Sequence, residues 1–534
     1  MVKTIDAARL KAALDGSEEI ALIDVREQAE YGASHPILAA NIPLGQLELR
    51  VGEQIPRRAT PIVVEDAGEG LAQRAAALLE SFGYSNVCVL DGGTPAWAAA
   101  GFELFSGMYV PSKAFGEFVE HAYDTPSVSA DELKAMMDGG EKLVVLDSRP
   151  MDEYRVMNIP TGIDVPGAEL VLRVGEVAPD PETTVVVNCA GRTRSIIGAQ
   201  SLINAGIPNK VVALRNGTMG WHLSGYQLEH GNGRTAPVPS QETLGQAVAR
   251  AEACAERFGV KTVDTPTLDA WRSERGSRTL SILDVRTIEE FETCRIADSR
   301  HAPGGQLVQA TDSYLPVRNA RVVLVDDHKV RALMTASWLV QLGWTEVYVL
   351  ESGLEGQPTA SGPYTPTVLG LDALNPIATV APAEARALTG SGEAVILDLA
   401  KALDYRDAHP EGAWWAGRVA IADNLSKIPD DLTILLTSPD GVLARFAGSD
   451  LAGSGRDVRL IEGGTAAWRA AGLPLQSGIT AVLSEPNDSY LRPYDRTDKA
   501  EIEKAMNDYL TWEVALVEQI KKAGGISFRH YPAA

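Results

Sequence analysis

An apolar run that closes on an aspartate recurs four times along the chain, at Asp24, Asp147, Asp284 and Asp398, and a common register follows each occurrence. Forty-two positions beyond the first three stand Asp66, Cys189 and Asp326, and 40 beyond the fourth stands Ser438. Seventeen residues later each copy has a glycine, at Gly83, Gly206, Gly343 and Gly455. Then come Leu90-Asp91-Gly92-Gly93, Leu214-Arg215-Asn216-Gly217, Leu350-Glu351-Ser352-Gly353 and Ile461-Glu462-Gly463-Gly464, three of them followed by Trp97, Trp221 or Trp468. Self-similarity at this spacing reports repeated domains, each long enough to bury its own core. The 534 residues are therefore expected to form four domains, 1–106, 107–236, 237–362 and 363–480, followed by a helical extension, 481–534. The boundaries are placed in stretches rich in Gly, Ser or Pro, such as Ser106-Gly107, Gly231-Asn232-Gly233 and Ser361-Gly362-Pro363.

Within a copy, short β-rich runs alternate with helical spacing. In the second, Lys142 to Asp147 reads as a strand, Asp152-Glu153-Tyr154 as a helix start, Val185 to Asn188 as a buried strand, Ile196 to Ala205 as a helix and Val211 to Leu214 as another strand. Strands alternating with helices through short connections predict an α/β fold in which each domain is a doubly wound, mainly parallel sheet flanked by helices. Ligands of such sheets bind at the carboxyl ends of the strands. Connector helices are expected near Ser112 to His121 and Gln241 to Arg257. From Asp498 to Lys522 the chain is amphipathic, with Ile502, Met506, Tyr509, Leu516 and Ile520 on one side, which suits a docking helix or a homodimer contact.

The four copies share their register, but only one has a thiol at the aligned position. Cys189-Ala190-Gly191-Arg192-Thr193-Arg194-Ser195 begins where the strand ending at Asn188 stops and a helical pattern starts. Backbone N–H groups at a helix start are unsatisfied and carry partial positive charge, so they can cradle an anion bound to the sulfur. Gly191 permits a tight turn, and Arg192 and Arg194 add fixed charge. A formal net charge of −23 argues against nucleic acid or an anionic membrane as partner. The first residues have no apolar leader and the chain has no long uninterrupted apolar stretch, so a cytoplasmic protein is expected. Four unevenly spaced cysteines give neither a disulfide framework nor a metal pair, and no metal or organic cofactor is indicated.

Asp147-Ser148-Arg149 with Glu153-Tyr154, the turn Asp164-Val165-Pro166-Gly167-Ala168, the loop at Cys189 and the exit from Gly217 to Trp221 together resemble the rhodanese (sulfurtransferase) family. The resemblance extends to about Gln476 and is weakest in the fourth copy, where Ala400 replaces the arginine and Trp414-Trp415 interrupts the turn. Phosphatases that share the fold use a loop one residue longer, Cys-x5-Arg. The six residues Cys189 to Arg194 match the sulfur-handling length instead.

The resemblance implies a thiosulfate sulfurtransferase with one active site. Cys189 would be the nucleophile that carries a persulfide, with Ala190, Gly191, Arg192, Thr193, Arg194, Ser195 and Trp221 binding substrate. Donors and acceptors would be small sulfur-containing anions and thiols. The alternative is a persulfide-carrying or redox-sensing scaffold that serves a protein partner. Asp66, Asp326 and Ser438 cannot play the part of Cys189. The first copy is expected to wall the pocket, the third and fourth to form a silent pair, and these copies with the tail helix to narrow access.

Cys88 and Cys254 read as packing residues, and Cys294 as a candidate resolving thiol. His35 and His409 follow Asp24 and Asp398 by 11 positions, but the same step from Asp147 reaches Asn158, so this histidine is no required base. His222 remains a candidate pocket residue, and Asp147, Arg149 and Glu153 read as a structural ion-pair network.

Overall fold

The computed structural model describes residues 2–532. Four sheets share one strand order. In the second, Ser127–Val128, Val211–Leu214, Thr184–Asn188, Leu143–Asp147 and Ile163–Asp164 lie side by side, all parallel. The third and fourth sheets repeat this order with parallel pairing throughout. The first repeats it too and adds an antiparallel edge strand, Val317–Arg318, from the neighbourhood of the third. Each sheet with its flanking helices is called a unit below. The strands are short and almost fully apolar because helices cover both faces.

The recurring residues hold equivalent joints. Asp24, Asp147 and Asp284 each end a strand and grip the arginine two residues on, and that arginine also donates to a carbonyl eight residues further, at Ser34, Met157 and Cys294. In unit four Ala400 stands in the arginine's place, one Asp398 oxygen has no partner, and burial pushes that carboxyl up to about 6. Tyr31, Tyr154 and Tyr405 each donate to the carbonyl eight positions ahead. Gly93, Gly217, Gly353 and Gly464 all have positive φ, and a Cβ on any of them would press on the carbonyl oxygen of Asp66, Cys189, Asp326 or Ser438 respectively. This close approach requires glycine at all four positions.

The units interlock in a way the sequence did not suggest. Units two and three share one core across the helix Gln241–Phe258, and unit three also lends its edge strand to unit one. Unit four reaches unit one through Arg418, which pairs with Glu48 at 2.8 Å. The expected pairing of three with four is therefore replaced by a hub in which unit three packs on units two and one.

The tail helix, Lys499–Ala523, lies on the connector helix Val110–Tyr123 and the Cys189 loop, with Met506, Leu510, Leu516 and Ile520 buried within the chain. Its apolar face is thus already covered, which removes the reason for a homodimer through this helix. No helix among the described residues is long and apolar enough to cross a membrane.

Candidate active site

Cys189 follows directly on the strand Thr184–Asn188, and its loop leads into the helix Thr193–Asn204. The carbonyls of Cys189 and Ala190 accept from the N–H groups of Thr218 and Met219 at 2.9 and 3.0 Å, which pins the loop to the Gly217 turn. Cys189 Sγ lies 3.5 Å from Ser195 Oγ. Among the described residues, the N–H groups from Ala190 through Ser195 meet no acceptor, so they form an open nest of donors around the sulfur.

The equivalent loops elsewhere are closed by their own side chains. Asp66 accepts from the N–H of Gly68 at 2.9 Å and of Ala72 at 3.0 Å. Asp326 accepts from Arg331 N at 2.8 Å, and Ser438 Oγ from Ala444 N at 3.3 Å. Ala72 and Ala444 stand six residues after Asp66 and Ser438, as Ser195 does after Cys189. A residue that caps the helix from the cysteine's place fills the space where an anion would sit. Only unit two leaves that space open.

The nest faces a cavity of about 590 Å³ where all four units and the tail converge. Cys189, Ala190, Gly191, Arg192 and Arg194 line it. Thr193, Ser195 and Trp221 do not. Thr193 turns away to donate to Glu513 of the tail helix, and Ser195 sits behind the sulfur with its hydroxyl on the Arg192 carbonyl at 2.8 Å. Trp221 is 1% exposed in the core of unit two and donates to the Gln227 carbonyl, as Trp97 and Trp468 do to Glu103 and Pro474. The assignment of Trp221 to substrate binding is therefore corrected: an aromatic residue after a glycine turn has the same sequence signal whether it fills a core or a pocket. His222 is likewise outside the cavity, 3.8 Å from Glu503. Cys254 is buried, with its thiol pushed up to about 11 by burial, and Cys294 is half-buried at a helix end.

Both loop arginines are held by carboxylates. Arg192 donates to Glu117 at 2.6 and 2.8 Å and to Glu120. Arg194 forms a two-bond fork with Glu153 at 2.7 and 2.9 Å and reaches Gln306 of unit three at 3.2 Å. Glu153 thus belongs to the cavity wall as well as to the Asp147–Arg149 network. Glu117, Glu120 and His121 are spaced as metal ligands could be, but both carboxylates are engaged by Arg192.

Burial alone would raise the Glu153 carboxyl, but Arg194, then Arg149 and Arg492, pull it down to about 2. A carboxyl whose folded-state value is depressed stabilises the fold above its ordinary value of 4.5 and loses that contribution as pH falls toward 2. Glu153→Gln is accordingly expected to cost about 3 kcal/mol near neutral pH. In denaturant titrations its midpoint deficit should be full at pH 6 to 7 and shrink as pH falls below 4.5. A deficit independent of pH would contradict the ion pair.

The sequence model of the Rhodanese-like domain matches residues 6–100, 129–224 and 267–357, which together make up a little over half of the chain. The chain belongs to the rhodanese family. Its matched stretches fall in units one to three, and the protein is a rhodanese-type enzyme. A crystal structure of a thiosulfate sulfurtransferase from Pseudomonas aeruginosa is similar throughout, with a TM-score of 0.94 and 47% identity over 99% of this chain and 100% of that one. A thiosulfate sulfurtransferase of Azotobacter vinelandii is 28% identical over 212 residues, 36% of this chain and 77% of that protein. Another from Pseudomonas aeruginosa is 30% identical over 174 residues, 29% of this rhodanese and 63% of the relative.

Several cavity residues escaped sequence reasoning. Lys113, Gln306, Lys401, Arg406, Tyr490 and Arg492 come from separate units and carry no shared motif. Tyr509 was visible on the apolar face of the tail. Glu513, an acid inside that same stripe, was the overlooked signal.

Proposed function

We propose that this rhodanese is a sulfurtransferase that moves one sulfane sulfur through Cys189, with thiosulfate as donor. The Cys189 thiolate attacks the outer sulfur of thiosulfate, the S–S bond breaks, and sulfite leaves with the bonding pair. The enzyme then holds a persulfide, Cys–S–S⁻. An acceptor nucleophile, cyanide in vitro or a thiolate, attacks the terminal sulfur and restores the Cys189 thiolate. The observation that carries this reading is that the N–H groups from Ala190 to Ser195, beside Cys189, meet no acceptor, whereas the other three loops are capped by their own side chains. Arg194 adds charge for the donor and for departing sulfite.

The other units serve this single site. Gln28 from unit one, Tyr109 at the start of the connector helix, Gln306 from unit three, Lys401 and Arg406 from unit four, and Tyr494 from the tail close the cavity and limit acceptors to small molecules. Residues 363–480 are a divergent rhodanese-like copy, supported by the shared strand order and by the Gly464–Ser438 contact. A carrier that hands sulfur to a folded protein needs its thiol at the surface. Cys189 is only 2% exposed, which speaks against the scaffold reading.

Intact-protein mass after incubation with thiosulfate tests the proposal. One added sulfur, removed by cyanide with release of thiocyanate, is expected. A reactive Cys189 that gains no sulfur would count against thiosulfate as donor.

A further inference from the structure

The self-capped loops pose a physical problem for the active one. Asp66, Asp326 and Ser438 hold their loops in shape from within, by donor–acceptor bonds that occupy the nest. A loop that must stay open for an anion cannot be fixed that way, so it needs an anchor from outside.

Such an anchor is present. Glu513, on the tail helix and 320 residues from the loop, is fully buried, and one of its oxygens accepts the hydroxyl of Thr193. The Lys113 ammonium, from the connector helix, stands 3.5 Å from the same oxygen. The other Glu513 oxygen has no partner and faces the turn, where a Cβ on Gly191 would lie 3.4 Å from it. Tyr509, one helical turn earlier, covers the same glycine, and a Cβ there would be 3.2 Å from its ring. On the far side, Gly116 lets the connector helix close on Thr193. Thr193 is thus clamped between the connector helix and the tail helix, the second of which is not part of its unit. The position four residues beyond the cysteine's place is Gly70, Val330 or Val442 in the other loops, so a hydroxyl occurs only where the nest is open.

We infer that Glu513 is a positioning residue of the active loop: acting through Thr193, with Lys113 beside it, it holds the first turn of the helix Thr193–Asn204 and the Gly191 turn in the shape that presents their N–H groups to an anion on Cys189. The inference rests on the proposed role of that nest. The tail helix is then part of the site and not only a cover for it.

The test reads the nest without requiring sulfur transfer. Full-length protein is alkylated with iodoacetate, an anion, and with iodoacetamide, its neutral counterpart, and the rates are followed at the Cys189 peptide. The wild type should favour iodoacetate. Thr193→Val, nearly isosteric, should lower the iodoacetate-to-iodoacetamide ratio about tenfold, the scale of one lost hydrogen bond to a charged group. Thr193→Ser should restore it. Glu513→Gln keeps an acceptor oxygen and should stay within about twofold of wild type, while Glu513→Ala should match Thr193→Val. In thiosulfate kinetics Thr193→Val and Glu513→Ala should raise KM as well as lower kcat, and Thr193→Ser and Glu513→Gln should stay near wild type. A Thr193→Val protein with a wild-type unfolding midpoint and an unchanged ratio overturns the inference while leaving the sulfurtransferase reading intact. A wild type with no preference for the anion sinks the nest and this inference together.

Discussion

Cys189→Ser is expected to lower sulfur-transfer turnover by about 10⁴-fold or more, because loss of a covalent nucleophile removes the two-step route altogether. The protein should still fold. Ser438 occupies the equivalent place in unit four, fully buried, and bonds to a loop N–H, so the backbone there accepts a serine. Equal denaturant midpoints with activity at background would satisfy both halves of the prediction. Cys189→Asp carries the argument further. It should reproduce the self-capped loop seen around Asp66, abolish alkylation and transfer, and leave stability equal to wild type or above it. Substantial residual transfer in Cys189→Ser would mean that another group carries the sulfur.

Arg331→Met is expected to be the most damaging single change for stability, at about 3–5 kcal/mol, the cost of leaving buried charges unpaired. Arg331 is 0% exposed and joins four carboxylates: Asp326 at 2.9 Å, Asp327 at 2.7 Å, Glu290 at 2.7 Å and, across the boundary with unit two, Glu169 at 2.9 Å. The silent loop of unit three has thus become a structural joint. Burial already pushes Asp326 up to about 7 despite the opposing pull of Arg331. Without the guanidinium that carboxyl should rise further. A raised folded-state value favours the fold at low pH, and its benefit disappears as pH rises through that value. The midpoint deficit of Arg331→Met should therefore widen from pH 5 to pH 8, and a constant deficit would show that Asp326 does not depend on this partner.

Much of this was legible from residue order. The register of Asp147, Cys189, Gly206 and Gly217 placed the loop at a strand end, since strand, turn and helix are set by local backbone geometry and by the close approach that only glycine permits at Gly217. The same local logic misplaced Trp221 and missed where the Thr193 side chain goes. Trp221 reports a glycine turn followed by an aromatic residue, a pattern that says nothing about which side of the turn the ring takes. Thr193 reads as part of the substrate-binding loop, but the sequence next to it contains no hint that its hydroxyl turns to Glu513. The amphipathic tail was seen, but an apolar face specifies that it is covered and not by what.

The sequence by itself determined the repeated strand order, the position of the one loop thiol and the charge around it, because each depends on neighbours within a few residues or on one repeated unit. Only the tertiary structure decided that the nest of unit two is open while three others are closed by their own side chains, and that unit three bridges one and two. It also decided that the cavity over Cys189 is walled by Lys113, Gln306, Arg406, Tyr490 and Tyr509. Those residues meet only after helices pack, and packing chooses among many apolar faces of similar composition by shape complementarity, which no short motif encodes.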